Sequence, residues 1–513
     1  MTRVRCTIVS GLRQASALAV LLAAGLAAPA ASAAEPMHFH HENILGTSLD
    51  VEVATVDAKL GAAVEAAVLG EIERLRKILS TYDPSSEISR LNSATAPLVC
   101  SPEMIDVLSA YDLWQARSHG AYNGHLGDLI GLWSKAEKAG IPPSAADLQA
   151  VLAELPRPGW KINSATRSVT RLTASHTLNV NSLGKGYIVT KAAVAARKAV
   201  PGVKGFLVNI GGDIFASGQP SADSLWSIGV ADPRHSEENA APLTKVRLAN
   251  QAVSTSAAYE RGYTLKGRHF SHILDPRSGQ PAQGVSSATV IANNNASANA
   301  MATALCVLKP EEGLELVKTY PGAACLIIGA DGQQFRSEGF AALEGAAPSP
   351  PTPGTAPALT GAWPLGYQVS MAIDIKPSAR EGRKSKRPFV AIWVDNASGQ
   401  RVRTVTVWGN ERKYLPELRA WWKEAKADPD KVAAITRATR SVGQYRIVWD
   451  GKDERGQALP LGTYTISVEA NREHGSYSLE HGEIVCGKVP ATGSIPAAAE
   501  FGETKLSYGP APP

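Results

Sequence analysis

The block Leu178-Asn179-Val180-Asn181-Ser182-Leu183-Gly184-Lys185-Gly186-Tyr187 runs directly into a helical pattern. Its two glycines let backbone approach a bulky group. A helix N-terminus offers N–H groups and partial positive charge to an anion. Lys185 adds a formal charge, and the Ser182 hydroxyl can reach a phosphate or a phosphate-bound metal. An Asn-rich turn capping a helix has the same composition. A second block, Val208-Asn209-Ile210-Gly211-Gly212-Asp213-Ile214, ends a strand-like run. Gly211 and Gly212 allow unusual backbone there, and Asp213 can accept from a ribose hydroxyl or from backbone. A third runs from Arg268 through His269, His272, Ile273 and Asp275-Pro276 to Gly279, after Ser254-Thr255-Ser256 and Tyr259. His272 titrates near neutral pH and suits acid–base work or a hydrogen bond to phosphate; Asp275-Pro276 is also simply a good turn. In a fourth, Asn299 and Thr303 stand four apart on one helix face. That spacing lets two oxygens converge on a hard cation such as Mg2+, although a cap and a buried hydroxyl read the same way.

The elements that would position these blocks alternate in type up to about residue 342. Apolar residues at helical spacing (Val64, Val68, Ile72, Leu75, Leu79) predict a helix over 62–79. Further helices are predicted over 102–118, 186–199, 297–308 and 310–318. Strand-like runs cover 47–56, 205–210, 226–230, 252–256, 286–292 and 323–328. This mixture predicts an α+β fold, with helices packed on a largely antiparallel sheet. Residues 345–360 carry five prolines among Ala, Ser and Gly, which predicts a semi-extended linker within 343–360. Beyond it, period-2 runs at 369–375, 389–394, 402–407, 445–449 and 463–469 predict a small all-β sandwich over 361–487. Residues 488–513, rich in Pro, Ala and Gly, are expected to lack order.

Arg3, Arg5 and Arg13 precede an apolar stretch over 17–28 and then Ala31-Ser32-Ala33, the pattern of a cleaved export signal covering 1–33. The apolar stretch is too short for a membrane span, and no later segment is longer. A soluble, exported, periplasmic mature chain is therefore expected. Removing three arginines takes the formal charge from +5 to about +2, which argues against a nucleic-acid-binding face. Cys100, Cys306, Cys325 and Cys486 form no CxxC pair and read as small apolar residues, with a Cys306–Cys325 bridge still permitted. His38, His40 and His41 can bind a metal or belong to a flexible, solvated end.

Taken in order, the four blocks resemble the ApbE family, the FAD:protein FMN transferases. The likeness also takes in Leu45-Gly46-Thr47, Ser80-Thr81-Tyr82-Asp83-Pro84 with Ser86-Glu87-Ile88-Ser89-Arg90-Leu91-Asn92, and Gly120-Ala121-Tyr122-Asn123 followed by Leu132-Trp133. It spans about residues 40–340, within a first domain read as 35–342. The resemblance implies an ApbE-like fold and an Mg2+-dependent enzyme that cleaves FAD at its pyrophosphate. FMN would pass to a Ser/Thr hydroxyl of an exported flavoprotein, with AMP released. It also implies FAD contacts at Leu45, Tyr82, Ala121, Tyr122, Asn123, Asn179, Lys185 and Ile273, beside Gly211, Gly212 and Asp213. His272 would activate the acceptor hydroxyl. The cation would be held by Ser182 and the Asn299/Thr303 face, with Lys185 beside it.

Asn123, Asn179 and Asn299 depart from the family, which commonly carries Asp at these positions. An amide at 299 brings no negative charge to a cation. Two alternatives follow: a protein that binds FAD without efficient transfer, or a pyrophosphatase giving FMN and AMP. Ser286-Ser287-Ala288-Thr289 loosely matches an acceptor element but lies in a strand-like run, where its hydroxyls would be hard to reach.

The second region resembles a domain family of unknown function found in exported bacterial proteins. The likeness rests on Tyr414-Leu415, Trp421-Trp422, Thr436-Arg437-Ala438-Thr439-Arg440, Tyr445 to Asp453 and Gly462-Thr463-Tyr464. Trp393, Trp408 and Trp449 read as core, and Glu473 with His474 as a metal pair or an exposed turn. Docking of an acceptor protein or of a neighbouring membrane complex is the role expected of this region.

Overall fold

The computed structural model describes residues 37–511, apart from 173–177, 236–239, 241, 259–261, 345–360, 362, 378–386, 410–411, 428–431, 433–434, 438 and 473–475. The export-signal reading, Tyr259, Glu473 and His474 lie outside the described residues, as does the Pro-rich segment from 345 onward.

An eight-stranded antiparallel sheet organises the first region, its strands adjacent in chain order: Met37–Ile44, Thr47–Val53, Gly205–Ile210, Asp213–Gly218, Gln251–Ala257, Val285–Ala292, Ala324–Gly329 and Gln334–Arg336. Leu49, Val51, Val53, Phe206, Val208 and Ile210 face a layer of helices. Three of these matter most, Ala58–Leu79, Asn181–Ala199 and Asn295–Val307, and the middle one packs on both others. The first helix begins where Asp57 Oδ1 accepts from the N–H groups of Lys59 and Leu60, the usual remedy for unpaired N-terminal donors. Its buried stripe is Val64, Val68, Ile72, Leu75 and Leu79, the apolar periodicity visible in the sequence. The opposite sheet face carries Leu207, Ala216, Val253, Ile291, Leu326 and Ile328. It is covered by the hairpin of Trp226–Val230 and Thr244–Leu248. The α+β expectation is met.

Leu343 and Glu344, expected to open the linker, belong to the first region. Phe340–Leu343 is helical and Glu344 bridges Val246, because Phe340 anchors this turn in the core. Past 360, a four-stranded and a five-stranded sheet face each other over Val369, Met371, Ile373, Val390, Ile392, Ile447, Ile466 and Val468. This is a β-sandwich, as expected. Trp393, Trp408 and Trp449 are buried, and the short helical segments Arg412–Glu417 and Arg419–Ala425 cover the outer face of the larger sheet. No sheet or apolar cluster among the described residues draws on both sides of residues 345–360.

The expectation of an unordered tail over 488–513 is wrong. Ala491–Ile495 and Thr504–Pro510 are strands, and the latter lies between Tyr367–Ile375 and Ala491–Ile495. Its own pattern is the reason: Thr504, Leu506 and Tyr508 are buried while Lys505 and Ser507 point out. The Pro, Ala and Gly around this run mask it.

Candidate functional site

The helix Asn181–Ala199 starts five residues before the expected Gly186. The Asn179 amide oxygen accepts from the Asn181 N–H at 3.1 Å, and the Leu183 N–H donates to the Tyr111 hydroxyl at 3.3 Å. Two opening N–H groups are thus already engaged, and Gly184 and Gly186 lie inside the helix rather than in a ligand loop. Gly186 is required by helix packing: a Cβ there would stand 2.6 Å from the carbonyl oxygen of Asn295. That contact brings the second and third helices together, and with them Ser182 and Asn299.

The Ser182 hydroxyl donates to the Asn299 amide oxygen at 2.7 Å. The Asn299 amide nitrogen faces both carboxylate oxygens of Asp213, at 3.3 and 3.2 Å. Lys185 Nζ lies 2.9 Å from Asp213 Oδ2 and donates to the Gly211 carbonyl at 3.3 Å. Asp213 is only 1% exposed, and these contacts are the partners a buried carboxylate requires. Gly211 and Gly212 (φ 54° and 88°) form the two-residue turn that presents it, since Ile210 and Asp213 are paired across the hairpin. The Gly211 N–H donates to the Ser48 carbonyl. This links the turn to the neighbouring hairpin, where Leu45 and Gly46 also hold positive φ. Behind Ser182, the Tyr122 hydroxyl donates to its Oγ at 3.3 Å, and Tyr122 stacks on Tyr111 with centroids 5.3 Å apart. Burial pushes the Tyr111 phenol up to about 12 and raises Tyr122 as well. Both remain neutral donors at physiological pH.

Thr303, one turn beyond Asn299, shares a hydrogen bond with Ser256 at 3.3 Å. Tyr82 is 87% exposed, next to Thr81, whose hydroxyl donates to the Asn181 amide oxygen. Ala121 is buried. Asn123 is held in the protein interior: its amide donates to the Leu155 carbonyl at 3.2 Å and its oxygen accepts from the His125 N–H at 2.9 Å. A carboxylate could not make the first of these bonds. His272 is exposed on the segment after the strand Arg268–Ser271, and the buried Ile273 pairs through its carbonyl with the Ala282 N–H. Tyr111 and Ser256 were not among the expected residues. Tyr111 shows in the sequence only as one core position of the helix Pro102–Arg117.

The donor set fits a hard cation. Oxygen ligands of Mg2+ lie about 2.0–2.1 Å from the metal, which puts neighbouring ligands about 2.9 Å apart. Ser182 Oγ and Asn299 Oδ1 come close to that spacing at 2.7 Å, and a buried carboxylate lies next to them. Among the described residues no group of three or more His, Cys, Asp or Glu side chains is arranged for a metal. The histidine tract is neither a flexible end nor such a site. It lies in the edge strand Met37–Ile44, where His38 and His40 face Asp50 and His41 faces Glu65. Cys100, Cys306, Cys325 and Cys486 are all free and buried, so the permitted bridge is absent. Ser287 and Thr289 are 3% and 1% exposed, and Thr289 shares a hydrogen bond with Thr255 at 2.8 Å, so those two hydroxyls are closed to an incoming group.

A family model described as "ApbE family" matches residues 45–327, more than half of the chain and the whole of this site. The chain belongs to the ApbE family. A second model, described as "Predicted periplasmic protein (DUF2271)", matches residues 370–503. Among curated relatives, an FAD:protein FMN transferase of Klebsiella pneumoniae (strain 342) is 29% identical over 301 residues, 57% of this chain and 84% of that protein. Among solved structures, an ApbE protein from Thermotoga maritima superposes with a TM-score of 0.55 at 26% identity, covering 61% of this chain and all of that one. The apo flavinyl transferase ApbE of Pseudomonas stutzeri gives a TM-score of 0.52 at 29% identity, covering 61% of this chain and 98% of that one. No helix among the described residues is long and apolar enough to cross a membrane.

Proposed function

We propose that this ApbE-family protein transfers FMN from FAD to a Ser/Thr hydroxyl of an exported flavoprotein, with Mg2+ and with release of AMP. The observation that carries this reading is the run of contacts from Ser182 through Asn299 and Asp213 to Lys185, drawn from three elements. The acceptor hydroxyl oxygen forms a bond to the FMN phosphorus as the bond from that phosphorus to the bridging oxygen breaks. AMP leaves with that oxygen, and the hydroxyl proton goes to His272. Such a reaction needs positioning and charge neutralisation rather than a protein nucleophile. Lys185 would take up pyrophosphate charge, and Ser182 and Asn299 would present oxygens to the cation. Bound Mg2+ would supply further charge neutralisation. The hairpins at Leu45–Gly46 and Gly211–Gly212, together with the exposed Tyr82, would line the FAD site.

The test is incubation of the purified protein with FAD, Mg2+ and an acceptor peptide, read by mass spectrometry. A peptide carrying FMN together with AMP supports transfer. Free FMN with AMP would mean hydrolysis, and intact bound FAD would mean a binding protein. The neutral Asn299 is the feature that favours that last reading.

The region matched by the periplasmic-protein family supports an exported setting and, in this reading, docks the acceptor. Deleting residues 361–513 should slow transfer to the native acceptor and leave transfer to a short peptide unchanged. Equal rates on the native acceptor would count against docking.

A further inference from the structure

We propose that Asp213 supplies the negative charge of the cation site, and that Lys185 holds the place of the cation until it binds. The proposal rests on the cation-dependent reading above. A hard divalent cation is held by charge as much as by oxygen count. At 299 this chain offers an amide, whose oxygen faces Ser182 and whose nitrogen faces the Asp213 carboxylate. That orientation follows from the hydrogen-bond partners on each side. The negative charge nearest the Ser182–Asn299 oxygen pair is therefore Asp213, on the opposite hairpin.

An almost fully buried carboxylate is retained only where its charge is compensated. Here the compensation comes from the Asn299 amide and from Lys185 Nζ at 2.9 Å. The Lys185 side chain is 29% exposed and sits on a flexible stem, so it can leave. A cation entering between Ser182 Oγ, Asn299 Oδ1 and Asp213 competes with the ammonium for the same carboxylate. Once displaced, Lys185 is free to pair with the pyrophosphate. Positions 213 and 299 face each other at hydrogen-bond distance, and in this chain the formal negative charge is carried on the hairpin rather than on the helix.

The experiment titrates Mn2+, as a paramagnetic stand-in for Mg2+, into the full-length protein with and without FAD, and counts free Mn2+ by electron paramagnetic resonance. Asp213→Asn should weaken binding by about tenfold or more, from the ligand-charge dependence of such sites. Lys185→Met should tighten binding several-fold, because the competing charge is gone, whereas a purely structural lysine would not give that sign. Moving the charge with Asp213→Asn/Asn299→Asp should restore affinity, which also guards against a single variant that fails to fold. Wild-type protein that binds Mn2+ no better than Asp213→Asn overturns the assignment and leaves the cation reading intact. Wild-type protein that binds no Mn2+, with or without FAD, overturns the cation reading and this proposal with it.

Discussion

Asn299→Asp would place a second carboxylate against Asp213. The Asn299 amide nitrogen lies 3.2–3.3 Å from both Asp213 oxygens, so the two charge centres would sit about 4 Å apart. At the effective dielectric of such a site this repulsion is about 4 kcal/mol. Lys185 beside Asp213 offsets part of it, leaving an expected loss of about 2–4 kcal/mol in chelator at about pH 8. In thermal denaturation that corresponds to roughly 5–15 °C. The sign with pH follows from the shared proton. Repulsion raises the folded pKa of the pair above the unfolded carboxylate value of about 3.9. The deficit is therefore complete above the raised pKa and fades as pH falls toward about 4. Millimolar Mg2+ should also remove it, and should stabilise the variant more than it stabilises the wild type. A variant that melts with the wild type in chelator at about pH 8 would refute the placement of Asn299 against Asp213.

Gly186→Ala drives a methyl group to 2.6 Å from the Asn295 carbonyl and should cost about 1–3 kcal/mol in urea denaturation. Tyr111→Phe leaves the Leu183 N–H without its acceptor and should cost about 1–2 kcal/mol by the same measurement. Burial alone would raise the Asp50 carboxyl, but hydrogen bonds from His38 and His40 hold it well below the usual carboxylate range. Its contribution is therefore present above about pH 4 and is lost as pH falls through the depressed value. Asp50→Asn should accordingly be destabilised at neutral pH and approach the wild type near about pH 2 in urea titrations at both pH values.

The parts of the fold legible in the sequence were those with one dominant period. The stripe from Val64 to Leu79 could only be a helix, and the runs at 205–210 and 226–230 matched their strands to the residue. The strand Met37–Ile44 was hidden because its histidines look like a solvated tract until Asp50 and Glu65 are placed beside them. The start of the helix at Asn181 was hidden because Gly184 and Gly186 argue locally for a loop. Only the close approach of Asn295, distant in sequence, explains why glycine is needed there. At the site, the residue types of Ser182, Lys185, Asp213 and Asn299 were readable from their blocks. Their mutual pairing was not, because it depends on how a hairpin meets two helices. Asn123 shows the same limit: its bonds to Leu155 and His125 are tertiary facts.

The position of the strand Thr504–Pro510 has a consequence for assembly. Tyr367 pairs with Pro510, and the strand Tyr367–Ile375 is completed on one side by this late segment. In any process that delivers the chain N-terminus first, whether synthesis or passage through a translocation pore, that strand emerges long before its neighbour. Until then it presents an open edge, the kind of surface that recruits wrong partners. Non-local pairing of this sort also folds slowly. The first region, whose main-sheet strands pair in chain order, can zip up as it arrives. The second must wait, and a helper that shields its unpaired strands would act during that interval.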